Sequence, residues 1–303
     1  MIKLIRRTTD KKYLQSLELG SWTDNVSEAF EMTYRECEDV KANLLESYET
    51  GQITEIVSFG KHKTISSEEK QDLLNMLSTS YNVFLSRLGR VEKRDERDLN
   101  YLISDKLPIT QSTPKITSKY WQDDLWWGNQ GSTPQCVGYA WAHWIDDGPV
   151  THGGPYPSIN PSVIYTEAQK LDEWVGENYD GTSVRGGAKY LKAAGKIRSY
   201  LWAFNVTTLV NTVLSIGPVV VGTNWYTGMF YPDRNGLIRV SGRLAGGHAY
   251  QINGVDTITQ RFRIKNSWGQ SWGQQGHAFI SFTDMARLIK EGGEICLAVE
   301  NSF

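Results

Sequence analysis

The sequence predicts an α+β protein in two parts: a small, charged α/β N-terminal module, then a larger part in which a buried helix precedes a run of strands. Three observations predict it. Charge density halves after Lys115, since the first 115 residues carry 17 Lys or Arg and 19 Asp or Glu while the remaining 188 carry 15 and 15. Glycine runs the other way, with 4 residues before that point and 24 after it, and ten of the eleven tryptophans lie beyond it. Finally, Cys136 to Ile145 is apolar nearly all round, whereas Ala249 to Val255 and Arg261 to Lys265 read as strands.

Composition narrows the class. At 303 residues, 40% apolar and 22% charged, the chain is long enough for two ordinary domains with filled cores. Its longest aliphatic run, Val219 to Val221, is far short of a membrane span, and Met1 to Arg7 alternates charge and apolarity instead of building a secretory core. The default address is therefore cytoplasmic. A net charge of -2 gives no electrostatic reason to expect a nucleic-acid or membrane partner. The cysteines Cys37, Cys136 and Cys296 are odd in number and lack metal-ligand spacing, which argues against a disulfide framework and a zinc site.

The elements of the first part follow in order. Alternating Ile2 and Leu4 and the Lys12 to Leu19 run, around a Thr9-Asp10 turn, predict a β-hairpin. Phe30, Tyr34, Cys37, Val40, Leu44 and Tyr48 recur at helical spacing, so Cys37 falls on a buried face. Ile53 to Phe59 reads as a strand, and Ser66 with Glu69 forms a capping box ahead of an amphipathic helix. The mixed-sign stretch Glu92 to Asp98 reads as a solvated helical face, and His62 stands in a charged loop without a partner. The polar, proline-containing Thr110 to Ser118 reads as a linker. The expected organisation is a ββαβ-type module over 1–64, a helical connector and linker over 65–118, and a final domain over 119–303.

The chemistry lies in the second part. A loop, Asn129 to Gln135, breaks abruptly into the apolar segment that starts at or just before Cys136. A thiol at a helix N-terminus feels the positive end of the macrodipole and unpaired backbone N–H groups, which favour the thiolate. A histidine to complete its activation must come from elsewhere. His143 is two turns along the same helix, roughly 10 Å away, too far to bond the thiol. His152 lies in a Gly-Pro-rich loop, and His277 opens a strand at a surface or edge position. His248 differs, because Gly246 and Gly247 allow close backbone approach just before a strand. The next strand, Arg261 to Lys265, ends in Asn266-Ser267-Trp268-Gly269, so Asn266 can accept the imidazole N–H and fix its tautomer.

Over Lys119 to Phe303 the sequence resembles the papain/cathepsin family of cysteine peptidases. The matching blocks are Asn129-Gln130-Gly131-Ser132 with Cys136 six residues after Gln130, then Gly246-Gly247-His248-Ala249, then Lys265-Asn266-Ser267-Trp268-Gly269 with Trp272-Gly273. They occur in the family's order, and Lys119-Tyr120-Trp121 is similar to the start of its mature domain. The resemblance implies a two-subdomain fold, a helical half carrying the cysteine and an antiparallel β half carrying histidine and asparagine. It implies Cys136 as nucleophile, His248 as general base and then acid, Asn266 as imidazole orienter, Trp268 as the indole shielding the Asn–His bond, and Gln130 with the Cys136 N–H as oxyanion donors. Acyl transfer would pass through a thioester on a polypeptide substrate, without metal or organic cofactor.

For substrate, the resemblance implies Gly181 and Thr182 as main-chain partners and Ser183 and Val184 on the wall of the second specificity subsite. Gly247 and Gly222 replace larger residues around that pocket. Glu300 or Asn301 is expected near its floor, where a carboxylate would favour a basic side chain at the second position before the cleaved bond. The chain also departs from the family. Thr133 and Pro134 replace a glycine and a disulfide-forming cysteine, and Cys296 keeps a usual disulfide position without a partner, so it is expected as a buried small residue. The first part lacks the family's helical inhibitory pattern. It is either an atypical proregion crossing the cleft, removable by cutting between Leu107 and Ser118, or a permanent adaptor recruiting a protein partner through residues 1–115. Its self-contained α/β character favours the adaptor. Two other functions use the same residues: a catalytically silent binding protein on this scaffold, and an amidase or peptide transferase.

Overall fold

A computed structural model of the chain describes residues 85–107, 117–122, 126–148 and 158–300 in full, and residues 2–7, 13–16, 21–23 and 53–59 as backbone strands. The chain divides into two units, 1–85 with 241–243, and 86–240 with 244–303. In the first, β1 (Ile2–Arg7) and β2 (Tyr13–Ser16) form the antiparallel pair that the alternation predicts. The strand β3 (Ser21–Thr23) extends one side and β4 (Ile53–Phe59) the other, giving the order β3-β2-β1-β4 with Leu4 opposite Val57. The expected helices, and with them Cys37 and His62, fall outside the described residues, as do His152 and 108–116 of the connector and linker.

The second unit opens with an extended stretch, a 3-10 turn over Glu96–Tyr101 and a short helix, α1 (Ile103–Lys106). The solvated helical face expected over Glu92 to Asp98 forms only in part: Glu92, Lys93, Arg94, Glu96 and Arg97 are exposed, but no α-helix carries them. Residues 91–95 are irregular, and Asp98 is buried against the Arg185 guanidinium. Local charge pattern reads as solvation, but an opposite charge supplied from far along the chain changes the balance.

Helix α2 (Cys136–Asp147) begins where the loop ends, as the sequence predicts, and nearly every side chain along it is buried. Two more helices pack on it, α3 (Pro161–Leu171) and α4 (Val184–Ala193). Asn160 and Ser183 cap them by accepting from Ser162 N–H and Gly186 N–H, which satisfies donors that a helix start otherwise leaves exposed. Contact is close enough to exclude side chains. A Cβ at Gly187 would lie 2.3 Å from Cδ1 of Trp141, and the Trp141 indole donates to Val184 O at 3.0 Å. The core here joins Val137, Trp141, Trp144, Ile164, Leu191 and Trp202; each large apolar side chain buried this way contributes about 1.5–3 kcal/mol.

The other half is an eight-stranded sheet in the order β6-β12-β7-β9-β10-β11-β8. Its members are β5 (Ser118–Tyr120), β6 (Ser199–Ala203), β7 (Val219–Tyr226), β8 (Leu237–Ile238), β9 (Leu244–Asp256), β10 (Arg261–Lys265), β11 (His277–Ser281) and β12 (Glu294–Val299). The helices α5 (Val206–Ser215) and α6 (Phe282–Lys290) accompany them. The strands pair antiparallel except for β11 with β8, and β5 adds to the long strand β9. β10 has the predicted bounds, while β9 begins earlier than expected, so His248 lies within the strand and not ahead of it. His277 opens β11, but that strand is interior, between β10 and β8, and the ring is buried against Trp127; the expected edge position is incorrect. Cys296 is a buried free thiol in β12.

A buried ion pair joins the two halves. Lys265 Nζ, at the end of β10, donates to both carboxylate oxygens of Asp147, at the end of α2, at 2.8 and 2.9 Å, with both side chains fully buried. Replacing Lys265 by Met should cost ~3–5 kcal/mol by taking its cation from a buried carboxylate, and Lys265→Met with Asp147→Leu should recover most of that loss. Urea unfolding of the two variants checks this.

Candidate active site

The loop before α2 is held by its own polar groups. Gln130 N–H donates to Ser267 O at 2.9 Å, and Thr133 Oγ1 donates to Gln130 O at 2.6 Å. The Gln130 side chain is nearly buried, its Oε1 accepting from Ser267 Oγ at 2.6 Å. That bond leaves the amide nitrogen to donate, and Nε2 reaches Thr133 O at 2.7 Å and Arg87 O at 3.0 Å. Cys136 opens the helix six residues on, with no exposed surface.

His248 comes from β9 and Asn266 from the residue after β10, and the pairing of these two strands brings them together. His248 Nε2 is 2.8 Å from Asn266 Oδ1. An amide oxygen only accepts, so the ring proton sits on Nε2 and Nδ1 keeps its lone pair. Asn266 Oδ1 also accepts from Ser267 N–H at 2.8 Å, which fixes the orientation of the amide. The Trp268 ring lies 4.9 Å from the imidazole, and Trp225, from β7, lies 4.7 Å away on a T-shaped approach. Sequence reasoning missed Trp225 and Ser267. Trp225 is legible only through strand register, because β7 runs beside β9 with Thr223 opposite His248.

Residues 87–91 run through this site. Gly89 O accepts from Thr182 N–H at 2.9 Å, and Val91 N–H donates to Thr182 O at 3.0 Å, so Arg90 pairs with Thr182 as a parallel bridge. Arg90 N–H donates to Gly247 O at 3.0 Å. Contact with Gly89 is tight, since a Cβ there would lie 1.8 Å from Pro134 O. A side chain at Gly247 would likewise strike Arg90 O, at 2.1 Å.

The Arg90 side chain enters a pocket and is almost fully buried there. Its Nε donates to Glu294 Oε1 at 3.2 Å, and one terminal nitrogen donates to Gly292 O at 2.8 Å. Gly222 leaves room for this: a Cβ on it would lie within 3.0 Å of Val184 Cγ2, Arg90 Nε and Glu294 Oε1 together. The carboxylate in the pocket is therefore Glu294, not Glu300, and Asn301 falls outside the described residues. Glu294 opens an apolar strand, and nothing local in the sequence separates it from a strand-end charge. The other expected substrate residues divide. Gly181 lies against the same segment, since a Cβ on it would be 2.5 Å from Gly89 O, Thr182 offers its main chain and Val184 its side chain, whereas Ser183 Oγ bonds the Glu173 carboxylate at 2.7 Å while capping α4. Among the described residues, no group of three or more His, Cys, Asp or Glu side chains could hold a metal ion.

Comparison with known proteins shows the family and the fold. The family model for papain family cysteine protease matches residues 123–291, more than half of the chain. A cathepsin B-like cysteine proteinase of Schistosoma japonicum is 26% identical over 175 residues, covering 49% of this chain and 47% of that protein. Cathepsin B-like cysteine proteinase 3 of Ostertagia ostertagi is 29% identical over 154 residues, covering 45% of this chain and 87% of that protein. The chain thus spans about half the length of the first of these relatives. In three dimensions it is similar to xylellain, a cysteine protease from Xylella fastidiosa, with a TM-score of 0.59 at 17% identity over 72% of this chain and 97% of that one. It is also similar to the digestive procathepsin L 3 of Tenebrio molitor larval midgut, with a TM-score of 0.51 at 14% identity over 93% and 95%. At these identities the structural likeness speaks to the fold.

Burial governs the charge state of the covered site. It pushes the Cys136 thiol up to about 11, against the N–H groups of Ala249, Gly89 and Val137, which pull the other way. The thiolate expected from the helix N-terminus alone is thus not the form favoured here, because desolvation outweighs the backbone donors. Burial also lowers His248 to about 4, against the bond to Asn266, which raises it. Both groups are neutral in the range between. The His248 ring should therefore take up its proton near pH 4 in the intact chain, followed by nitrogen NMR of the histidines; a midpoint near the ordinary ~6.5 would contradict its burial.

Proposed function

The chain belongs to the papain family of cysteine proteases, and on that premise we propose that it hydrolyses peptide bonds through a thioester on Cys136 and that residues 86–92 hold it latent. The observation that carries this reading is the Arg87 carbonyl at 3.0 Å from Gln130 Nε2, beside the buried cysteine, where a substrate carbonyl would develop negative charge. Once the strap leaves, water returns, and the proton on Cys136 can pass to His248 Nδ1. The thiolate attacks the carbonyl carbon. The oxyanion accepts from Gln130 Nε2 and Cys136 N–H, His248 protonates the leaving amine, and a water deprotonated by His248 releases the acid and restores the thiol. Asn266, held by Ser267 N–H, keeps the imidazole in register through these steps.

The polarity of the strap explains why it would block without being consumed. The acyl half of a substrate would run along its sequence from the Glu294 pocket towards Gln130. The strap runs the other way, from Arg87 at Gln130 to Arg90 in the pocket. Its backbone hydrogen bonds borrow the substrate's partners while its bonds face Cys136 in the reverse sense. This favours the proregion over the adaptor for residues 86–92. Arg90 also indicates a substrate class: with the strap gone, Glu294 would be a buried carboxylate without its guanidinium, and a basic side chain at the second position before the cleaved bond would restore the pair.

Four variants test the proposal. After cleavage between Leu107 and Ser118, Cys136→Ala should abolish turnover of a fluorogenic peptide and Gln130→Ala should lose on the order of 100-fold in kcat; near-full activity in the first would refute the nucleophile. In the intact chain, Arg90→Ala should speed labelling of Cys136 by an epoxide inhibitor. Glu294→Gln should abolish any preference for Arg over Leu at the second position in paired peptides, and an unchanged ratio would remove Glu294 from the specificity pocket.

A further inference from the structure

Outside the cleft, a charged hollow lies where residues 95–107 rest on α4 and β6. It is a cavity of about 570 Å³ whose wall carries Arg97, Lys106, Arg185, Lys189, Lys192 and Arg198 against two carboxylates, Asp95 and Asp98. Both carboxylates are already engaged. Asp95 accepts from Arg97 Nε at 2.9 and 3.0 Å, and Asp98 accepts from Arg185. Glu173, from outside the wall, takes Lys189 at 3.0 Å and a second Arg185 nitrogen at 3.3 Å. Among the described residues no carboxylate is left for Lys106 or Lys192, both of which are exposed.

A second, independent observation concerns Arg185. It is only 4% exposed and lines the cavity, where Asp98, Glu173 and the Lys93 carbonyl hold its guanidinium in place as a fixed positive charge. The same guanidinium lies 5.3 Å from the Trp202 ring, and Tyr101 and Tyr200 complete an aromatic part of the wall. A hollow of this volume is the size that takes a small organic ligand.

We infer that this cavity is a binding site for a small, multiply charged anion, phosphate- or sulfate-bearing, separate from the substrate cleft. The anion would lie between Lys106 on one wall and Lys192 on the other. Because these walls come from different parts of the chain, it would tie residues 95–107 to the α4–β6 face. Phosphate and sulfate esters share the chemistry the site offers, and binding would weaken as salt screens the exposed ammonium groups.

The test is calorimetric titration of the full chain at low salt with two probes, inorganic tripolyphosphate and a heparin-derived sulfated disaccharide, repeated with Lys106→Glu/Lys192→Glu. The expected result is saturable one-to-one binding of at least one probe, the tighter one identifying the source, with affinity reduced ~10-fold or more in the variant. Circular-dichroism melting of the variant should match the parent, because both lysines are exposed, and Cys136 labelling should be unchanged. Absence of saturable binding by either probe, or equal affinity in the variant, overturns the site.

Discussion

The buried pair between Lys265 and Asp147 is the constraint on which the placement of the other groups depends. Two charges without water need each other at bonding distance, so the end of α2 cannot drift from the end of β10. The helix that Asp147 ends begins with Cys136, and the strand that Lys265 ends is followed at once by Asn266. This contact therefore helps to fix the separation of the half that carries the thiol from the half that carries the imidazole and its amide, together with the bonds between Gln130 and Ser267. The tryptophans complete the arrangement. Trp225 and Trp268 close on the His248 ring from different strands and loops, so the histidine has one orientation and its hydrogen bond to Asn266 is shielded.

Desolvation decides the chemistry of the covered state. The helix N-terminus and three backbone N–H groups favour a thiolate at Cys136, yet complete burial outweighs them and the sulfur keeps its proton. The same burial keeps His248 neutral. Under the proposed function, a strap thus does more than obstruct: by removing water it also withdraws the ionised form of both partners. Gln130 needs no such change. Its amide is already aligned by Ser267 and Thr133 and already holds a carbonyl, which under the proposed function is the fixed polar arrangement that a developing oxyanion requires.

What could be read from the sequence was short-range. The start of α2 at Cys136, the bounds of β10 and the Asn266 that follows it are local transitions in apolar pattern, and the hairpin of β1 and β2 is a local alternation. What could not be read depends on partners far along the chain. Trp225 meets His248 only because β7 and β9 pair in one register, and Glu294 meets Arg90 across some two hundred residues of sequence. The stretch around Arg90 to Asp98 misleads for the same reason. Its mixed charges have the composition of a solvated helix, and only Glu294 and Arg185 turn two of them into buried ion pairs.

The strap is covalently part of the molecule it covers, and this gives its few hydrogen bonds a weight they would not have in solution. A tethered segment acts at an effective concentration of roughly millimolar, set by the length of its connection and not by the amount of protein present. Cutting the chain between Leu107 and Ser118 would alter none of the contacts made by Arg87, Gly89 or Arg90, but it would turn an intramolecular equilibrium into one between separate molecules. Dilution could then drive the dissociation that the intact tether opposes. A segment of modest intrinsic affinity would thereby hold the site closed before the cut and lose it afterwards, making activation depend on connectivity and on concentration.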